Sequence, residues 1–236
     1  MPIGVPKVPY TYTVEEIGIQ WVDIYNFLFR SRMIMFGSDL DEELTNQMIG
    51  IMLFLNASRP SDPWQQGKEA GYGKELFIYI NSLGGSVPCG IAVFDVLNYI
   101  ESEVVTVGLG IAASMAGFIL MAGGKRVLLP HARILMHQPQ GGFRGQSSDL
   151  VATSRELSRW RSVVASIYAK KTGQSLQVIA DHMNRDIFLQ GKEAVSFGLV
   201  DAVLPFRKKK PSSPLSSIFE DGGAPLLSGS PNGRLA

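Results

Sequence analysis

Along residues 40–55, apolar side chains return every three or four positions at Leu44, Met48, Ile51, Met52 and Leu55, which predicts an amphipathic helix. A shorter amphipathic helix is predicted over residues 21–30, followed by a strand at Met33–Phe36. Residues 75–80 are apolar on both faces, as in a parallel strand covered on both sides. They run into the glycine turn Asn81-Ser82-Leu83-Gly84-Gly85-Ser86 and then a helix marked by Val87, Ile91, Phe94 and Leu97. The pattern repeats at 104–123: a β-branched strand Val104-Val105-Thr106-Val107, a glycine turn at Gly108 and Gly110, and a buried helix. Two successive strand–turn–helix units imply an α/β domain with a parallel core sheet.

Further along, an apolar strand closes on His137, and residues 138–145 read as extended and polar. A long helix is expected over residues 147–170. Its narrow stripe of Leu150, Leu157, Trp160, Val164 and Ile167 suits a partner helix in this chain or in another subunit. Gly173 ends that helix, Ser175 caps the next, and residues 181–188 lead out of it. A short helix at Gly191–Phe197 and a last strand over 198–203 complete the domain. At the ends, Pro2, Pro6 and Pro9 mark residues 1–18 as an extended, mobile arm, and residues 57–74 form a breaker-rich surface loop around Trp64. From residue 207 onward Pro, Ser and Gly dominate, which predicts a disordered tail whose basic run Arg207-Lys208-Lys209-Lys210 is solvated charge.

Composition narrows the function classes. The 236 residues are 45% hydrophobic with a net charge of +1, so a sizeable core is available and no global field points to nucleic acid. One cysteine, Cys89, excludes an intrachain disulfide and fits a reducing compartment. The N-terminal residues have neither a secretory apolar core nor an Arg/Ser-rich transit pattern, so the protein is expected to work where it is made. The uncharged stretch between Glu103 and Lys125 is long enough to span a bilayer, but its five glycines and β-branched start fit a strand, turn and buried helix better. Gly108-Leu109-Gly110-Ile111-Ala112-Ala113 fits a dinucleotide fingerprint, yet no acidic residue follows before Asp149 to bind a ribose.

The candidate chemistry lies in the same stretch. Ser114 sits among small residues, Ala112-Ala113-Ser114-Met115-Ala116-Gly117, and His137 closes the strand Ile134-Leu135-Met136. A serine becomes nucleophilic at neutral pH when an imidazole is within hydrogen-bond reach, so Ser114 and His137 are the candidate pair of a serine peptidase. The alternative is structural: Ser114 caps the helix while small residues allow close packing. Gly84-Gly85 before a helix offers backbone N–H groups as an anion site, or else only a tight turn.

Taken together these stretches resemble the ClpP family, the proteolytic subunits of Clp proteases, over nearly all of residues 1–204. The motifs that carry the resemblance are MPIGVPKVPY, WVDIYN, FIYINSLGGSV, GIAASMAGFIL, LPHARILMHQP, GGFRGQSSDL, TGQSL, the segment from Asn184 through Phe188, and EAVSFGLVDAV. The opening decapeptide is similar to the plastid and cyanobacterial branch. The resemblance implies a ClpP/crotonase-like β/α superhelix at 19–204 with a protruding strand–helix handle at 138–171. It implies Ser114 as nucleophile, His137 as base and Asp186 as the carboxylate that orients it. The residues alone would not choose Asp186 over Asp149, Asp181 or Asp201. By the same likeness the N–H groups of Gly85 and Met115 form an oxyanion hole, so a bulky residue at Gly85 is expected to hurt turnover more than folding. His131 and His182 match no catalytic position.

The family also implies stacked heptameric rings of ClpP- or ClpR-type subunits, joined through residues 141–145 (as a strand) and 147–170. An Hsp100-type ATPase feeds unfolded proteins through an axial pore lined by residues 1–18, its loops docking at Leu53, Phe77, Tyr79 and Tyr99. No metal or cofactor is implied, since the ATP is used by the partner, and no nucleic-acid or membrane partner is. The expected location is the plastid stroma, with a cyanobacterial cytoplasm as the alternative. This sequence departs from the family in four places. Leu83 stands where a proline is usual, the link from Ser114 to His137 is about two residues shorter near residues 122–126, the 57–74 loop is longer, and the 205–236 tail is extra. Loss of the proline is expected to loosen the oxyanion turn. Rival readings are a ClpR-like structural subunit, an acyl-CoA hydratase or isomerase sharing the fold, and a Rossmann binding module.

Overall fold

The computed structural model describes residues 4–10, 20–58, 75–142 and 144–205. The chain opens with strand β1 (Lys7–Tyr10), which pairs antiparallel with β2 (Gln20–Asp23), Lys7 opposite Asp23. This ladder shortens the helix expected over residues 21–30. Trp21, Val22 and Asp23 are drawn into the strand, and helix α1 (Ile24–Arg30) starts after Asp23, whose carboxylate accepts from the Asn26 amide at 2.9 Å. Part of the expected mobile arm is thus a paired strand; residues 1–3 and 11–18, the greater part of the 57–74 loop with Trp64, and the tail from 206 lie outside the described residues.

Strand β3 (Met33–Phe36) leads to helix α2 (Glu42–Ala57), two residues later than its apolar period begins because Asp41 caps it, accepting from the Leu44 amide at 2.8 Å. Strand β4 (Leu76–Ser82) and helix α3 (Val87–Tyr99) follow as the sequence pattern predicts, and β3 and β4 pair in parallel, Met33 with Phe77. Just before β3, Arg32 adopts a left-handed backbone (φ 59°) and is only 8% exposed. Its guanidinium donates to Leu55 O, Glu75 O and Ser102 Oγ, tying the end of α2 to the starts of β4 and β5, and burial lowers its pKa.

Strand β5 (Val104–Ala113) runs straight through Gly108 and Gly110, where a turn was expected. Ile80 pairs with Gly108 but Ser82 with Ala112, so β5 carries two extra residues against β4. The glycines therefore mark a bulge, not the end of the strand. At Gly110 φ is +36°, and a Cβ there would lie 2.7 Å from Asn81 Oδ1, which accepts from the Ile111 amide at 3.2 Å. The bulge lets β5 serve two partners in succession. Its first half pairs with β6 (Lys125–Leu128) and its second with β7 (Arg133–Met136), both parallel.

Between these strands helix α4 (Met115–Ala122) is buried on every side. Its Phe118 ring packs 5.0 Å from Phe94 and edge-on 5.5 Å from Tyr168. The uncharged stretch that matched a bilayer in length is therefore β5 plus α4, and no helix among the described residues is long and apolar enough to cross a membrane. Strand β6, not anticipated, occupies the shortened link near residues 122–126.

Helix α5 (Ser147–Thr172) is the long helix, closed by Gly173 in the left-handed region. Its buried residues are Val164, Ala165 and Tyr168, so the half before Arg161 stands clear of the core of the chain. Among the described residues no strand occurs between Met136 and Ser147, where the likeness implied one at 141–145; Phe143 is outside them. Helix α6 (Leu176–Met183) is capped by Ser175, β8 (Ile187–Gln190) pairs antiparallel with β7, and α7 (Gly191–Phe197) ends at Gly198. The last strand is only β9 (Ala202–Val203), because Gly198 and the loop to Asp201 precede it; it pairs with β6. The sheet runs β3-β4-β5-β6-β9, parallel throughout, with β7 and β8 branching from the second half of β5.

Candidate active site

The site forms where β5 ends. Ser114 lies between β5 and α4 with φ 54° and ψ −123°, a conformation that side-chain-bearing residues avoid and that costs on the order of 1–3 kcal/mol. Neighbouring structure holds it there. Its amide donates to Leu135 O at 2.9 Å, its carbonyl accepts from the Phe118 amide at 3.1 Å, and Gly84 packs against its Cβ. Ser114 occupies the N-cap position of α4, yet its hydroxyl makes no capping hydrogen bond. The capping alternative therefore leaves the hydroxyl unused.

The same amide-to-carbonyl bond brings in the histidine. Leu135 is in β7, and His137 follows that strand by one residue. Side chains alternate along a strand, so Ile134 and Met136 face the core while Leu135 and His137 face the other side. In the β7–β8 ladder Met136 pairs with Ile187, and continuing the register one step sets His137 opposite Asp186. Two crossings, β5 to β7 and β7 to β8, thus set Ser114, His137 and Asp186, far apart in sequence, at the ends of neighbouring strands.

Asp186 and His137 are not hydrogen-bonded in this single chain. The Nδ1–H of His137 donates to its neighbour's carbonyl, Gln138 O, at 2.7 Å, and Gln140 Nε2 lies 3.3 Å from the same nitrogen. Toward Gln138 O this nitrogen must donate and toward the Gln140 amide nitrogen it must accept, so only one of the two contacts is a hydrogen bond at a time. The shorter one goes with a proton on Nδ1, the tautomer that leaves Nε2 as the acceptor a general base needs. The Asp186 side chain is exposed and, among the described residues, bonds to no other group.

The Ser82–Ser86 turn supplies the second wall. The Leu40 amide donates to Gly84 O at 2.7 Å and the Ser86 amide donates to Leu40 O at 2.9 Å. Both bonds lie on the Leu40 side, so by strand alternation the Gly85 amide between them points away from Leu40. Met115 is the first residue of α4, and its amide has no partner within the helix. Gly84 touches this helix start closely: a Cβ there would sit 2.6 Å from Ala113 O and 2.9 Å from Met115 N.

Sequence reasoning missed what stiffens this turn. The buried Ser82 hydroxyl donates to Ser38 O at 2.6 Å and accepts from the Gly84 amide at 3.0 Å. A serine two residues before a glycine is the available signal, since its hydroxyl can mimic a turn bond. The turn is pinned by this hydroxyl and by Leu40, and Leu83, 65% exposed, has no part in it. The loosening expected from the missing proline is therefore offset. Gly85 is also more constrained than expected: at φ +152° an added Cβ would lie 2.3 Å from Leu40 O, so substitution there strains the fold as well.

Of the four residues implied in docking, Tyr99 is 78% exposed and Leu53 lies on the outer side of α2, beside an exposed Phe54 that the sequence did not single out. Phe77 and Tyr79 share the face of β4 opposite the buried Leu76, Ile78 and Ile80, their rings stacked 6.5 Å apart. Leu53 is 41% exposed and so is not packed in the core. Elsewhere, His182 Nδ1 donates to Val178 O at 2.8 Å and its ring packs on Phe197, a structural role; His131 is exposed. Among the described residues no group of three or more His, Cys, Asp or Glu is placed to hold a metal ion.

A serine on a strained strand-to-helix elbow, next to the strand end that presents a histidine, is the arrangement of an α/β serine hydrolase. A sequence model of the family described as Clp protease matches residues 15–207. The chain is 52% identical over 205 residues to the ATP-dependent Clp protease proteolytic subunit of Oltmannsiellopsis viridis, covering 86% of this chain and 98% of that one. Identity is also 52% to the subunit of the same name from Chlorella vulgaris and 48% to that from Ostreococcus tauri, each over 86% of this chain and 96% of the relative. The chain therefore belongs to the Clp protease family, a serine peptidase family. Relatives named as proteolytic subunits do not favour the ClpR reading, and their green-algal sources suggest a plastid origin. Membership of this family implies an oligomeric ring that works with Clp ATPases.

Proposed function

We propose that this chain is the serine endopeptidase subunit of a self-compartmentalised protease, with Ser114 as nucleophile, His137 as general base and Asp186 as the orienting carboxylate. His137 Nε2 takes the hydroxyl proton of Ser114 as its oxygen attacks the peptide carbonyl, then gives that proton to the leaving amine. Water enters in the second half of the cycle, activated by the same imidazole, and releases the acyl group. The Gly85 and Met115 amides stabilise the oxyanion, each contributing about 3–4 kcal/mol. In the working state Asp186 replaces Gln138 O as the acceptor of the Nδ1–H, stabilising the imidazolium without taking the proton. The chemistry uses no metal or cofactor.

The subunits stack as two heptameric rings, of one kind or mixed with ClpR-type chains, through α5 and the segment before it. An Hsp100-type ATPase docks at Leu53, Phe77, Tyr79 and Tyr99 and delivers unfolded proteins, and the site of action is the plastid stroma. Residues 1–18 line the pore, and residues 19–204 form the peptidase domain with its handle at 138–171. The observation that carries the catalytic reading is the strained Ser114 elbow bonded to the strand of His137, with a hydroxyl that serves no structural purpose. Peptide hydrolysis by the assembled particle tests it: Ser114→Ala is expected to lower kcat by about 10⁴-fold or more, and a variant of near-normal turnover would refute the assignment.

A further inference from the structure

The turn carrying Asp186 joins α6 to β8, and its residues Asn184, Arg185 and Asp186 are all exposed. Two hydrogen bonds tie its leading edge to other elements, besides the bond from the Asn184 amide back to Asp181 O within the end of α6. The Gln138 amide donates to Met183 O at 2.9 Å, tying the turn to the residue after His137. Arg161 Nη2 donates to Asn184 Oδ1 at 2.8 Å, from a position 23 residues earlier in the middle of α5. Among the described residues no other side chain bonds to this turn. Arg161 also stands just before the buried Val164, Ala165 and Tyr168, at the point where the free half of α5 joins the core.

We propose that Arg161 is a positioning residue for the peptidase reaction: by holding Asn184 it fixes where the chain leaves α6, and so where the Asp186 carboxylate can meet the Nδ1–H of His137. The inference rests on the triad reading above. A guanidinium is a rigid, permanently charged donor on a continuous helix, whereas the carboxylate itself has nothing to hold it in this chain. Orienting groups displaced by about 1 Å can cost on the order of a hundredfold in rate, so a single anchor is enough to matter. Because Arg161 acts through Asn184 and Asp186 and touches no substrate, its loss falls on the chemical step and spares binding.

The test is a cycle on the full-length assembled particle, using Arg161→Ala, Asn184→Ala, the double variant and Asn184→Asp. Peptide hydrolysis and the rate of fluorophosphonate labelling at Ser114 are measured, with sedimentation to check assembly. Each alanine variant is expected to lower kcat and labelling by about tenfold with KM changed less than about twofold. The double variant is expected to match either single one, and Asn184→Asp, which keeps the acceptor, to stay within about twofold of wild type. Unchanged kcat in both alanine variants, additive losses in the double, or a loss traced to ring dissociation would each overturn the role of Arg161. A wild-type particle that takes no probe at Ser114 would instead remove the triad reading, so the two failures are distinguishable.

Discussion

The Ser114 amide donates to Leu135 O at 2.9 Å, and this one bond joins the strained residue after β5 to the strand that ends at His137. It also shows what the fold gives up to place the hydroxyl. Only glycine adopts the Ser114 backbone without cost. Ser114→Gly is therefore expected to abolish activity and yet raise stability by about 1 kcal/mol, while Ser114→Ala is inactive without that gain. Thermal melts of the two variants beside wild type check it. A glycine variant less stable than the alanine one would show that the elbow is unstrained.

The buried Ser82 hydroxyl carries two hydrogen bonds, a part-buried one to Ser38 O and a buried one from the Gly84 amide. Ser82→Ala leaves both partners unsatisfied and is expected to cost about 1–3 kcal/mol, with a fall in turnover as the turn loosens. Leu83→Pro is expected to change stability by less than about 1 kcal/mol, because the turn is already fixed. Denaturant melts and peptide hydrolysis of both variants separate the two effects; a large gain from the proline would mean that Ser82 does not hold the turn.

At Gly85 the fold and the chemistry are coupled. A Cβ would meet Leu40 O at 2.3 Å on a backbone with φ +152°. Gly85→Ala is expected to lose about 1–3 kcal/mol of stability together with most of the activity. An alanine variant with wild-type melting would show that the turn can move away from Leu40.

Much of this was legible in the sequence, and the exceptions have physical causes. The periods of α2, α3 and α5 and the doubly apolar β4 mark elements whose local preference agrees with their burial. Gly108 and Gly110 mislead because a bulge and a turn make the same demand on the backbone, and only pairing with β4 distinguishes them. Residues 21–23 mislead because pairing with the earlier strand β1 overrides a short helical pattern. Ser114 and His137 stand out in a single stretch. Asp186 does not, because its place opposite His137 is set by the β7–β8 register, which no local pattern reveals.

Acid sensitivity has an identifiable contributor beside the β6–β9 pair. The Arg126 guanidinium and amide hold the Asp201 carboxyl below the usual carboxylate range. A carboxyl whose folded pKa is depressed stabilises the fold above its unfolded value of 3.8 and loses that contribution as pH falls through the folded value. The pair is partly exposed, so its contribution is under about 1 kcal/mol and is screened by salt. Asp201→Asn is expected to melt slightly below wild type at pH 7 and level with it once the carboxyl is protonated. A difference that persists unchanged into strong acid would exclude this ion pair as its source.

The central claim is that Ser114 is a nucleophile activated by His137. Fluorophosphonate labelling of the assembled particle, followed by mass mapping of the adduct, tests it most directly. A single adduct on Ser114, abolished by Ser114→Ala and strongly slowed by His137→Ala, is the predicted result. An intact particle that carries no adduct at Ser114, or that labels equally well without His137, would contradict it.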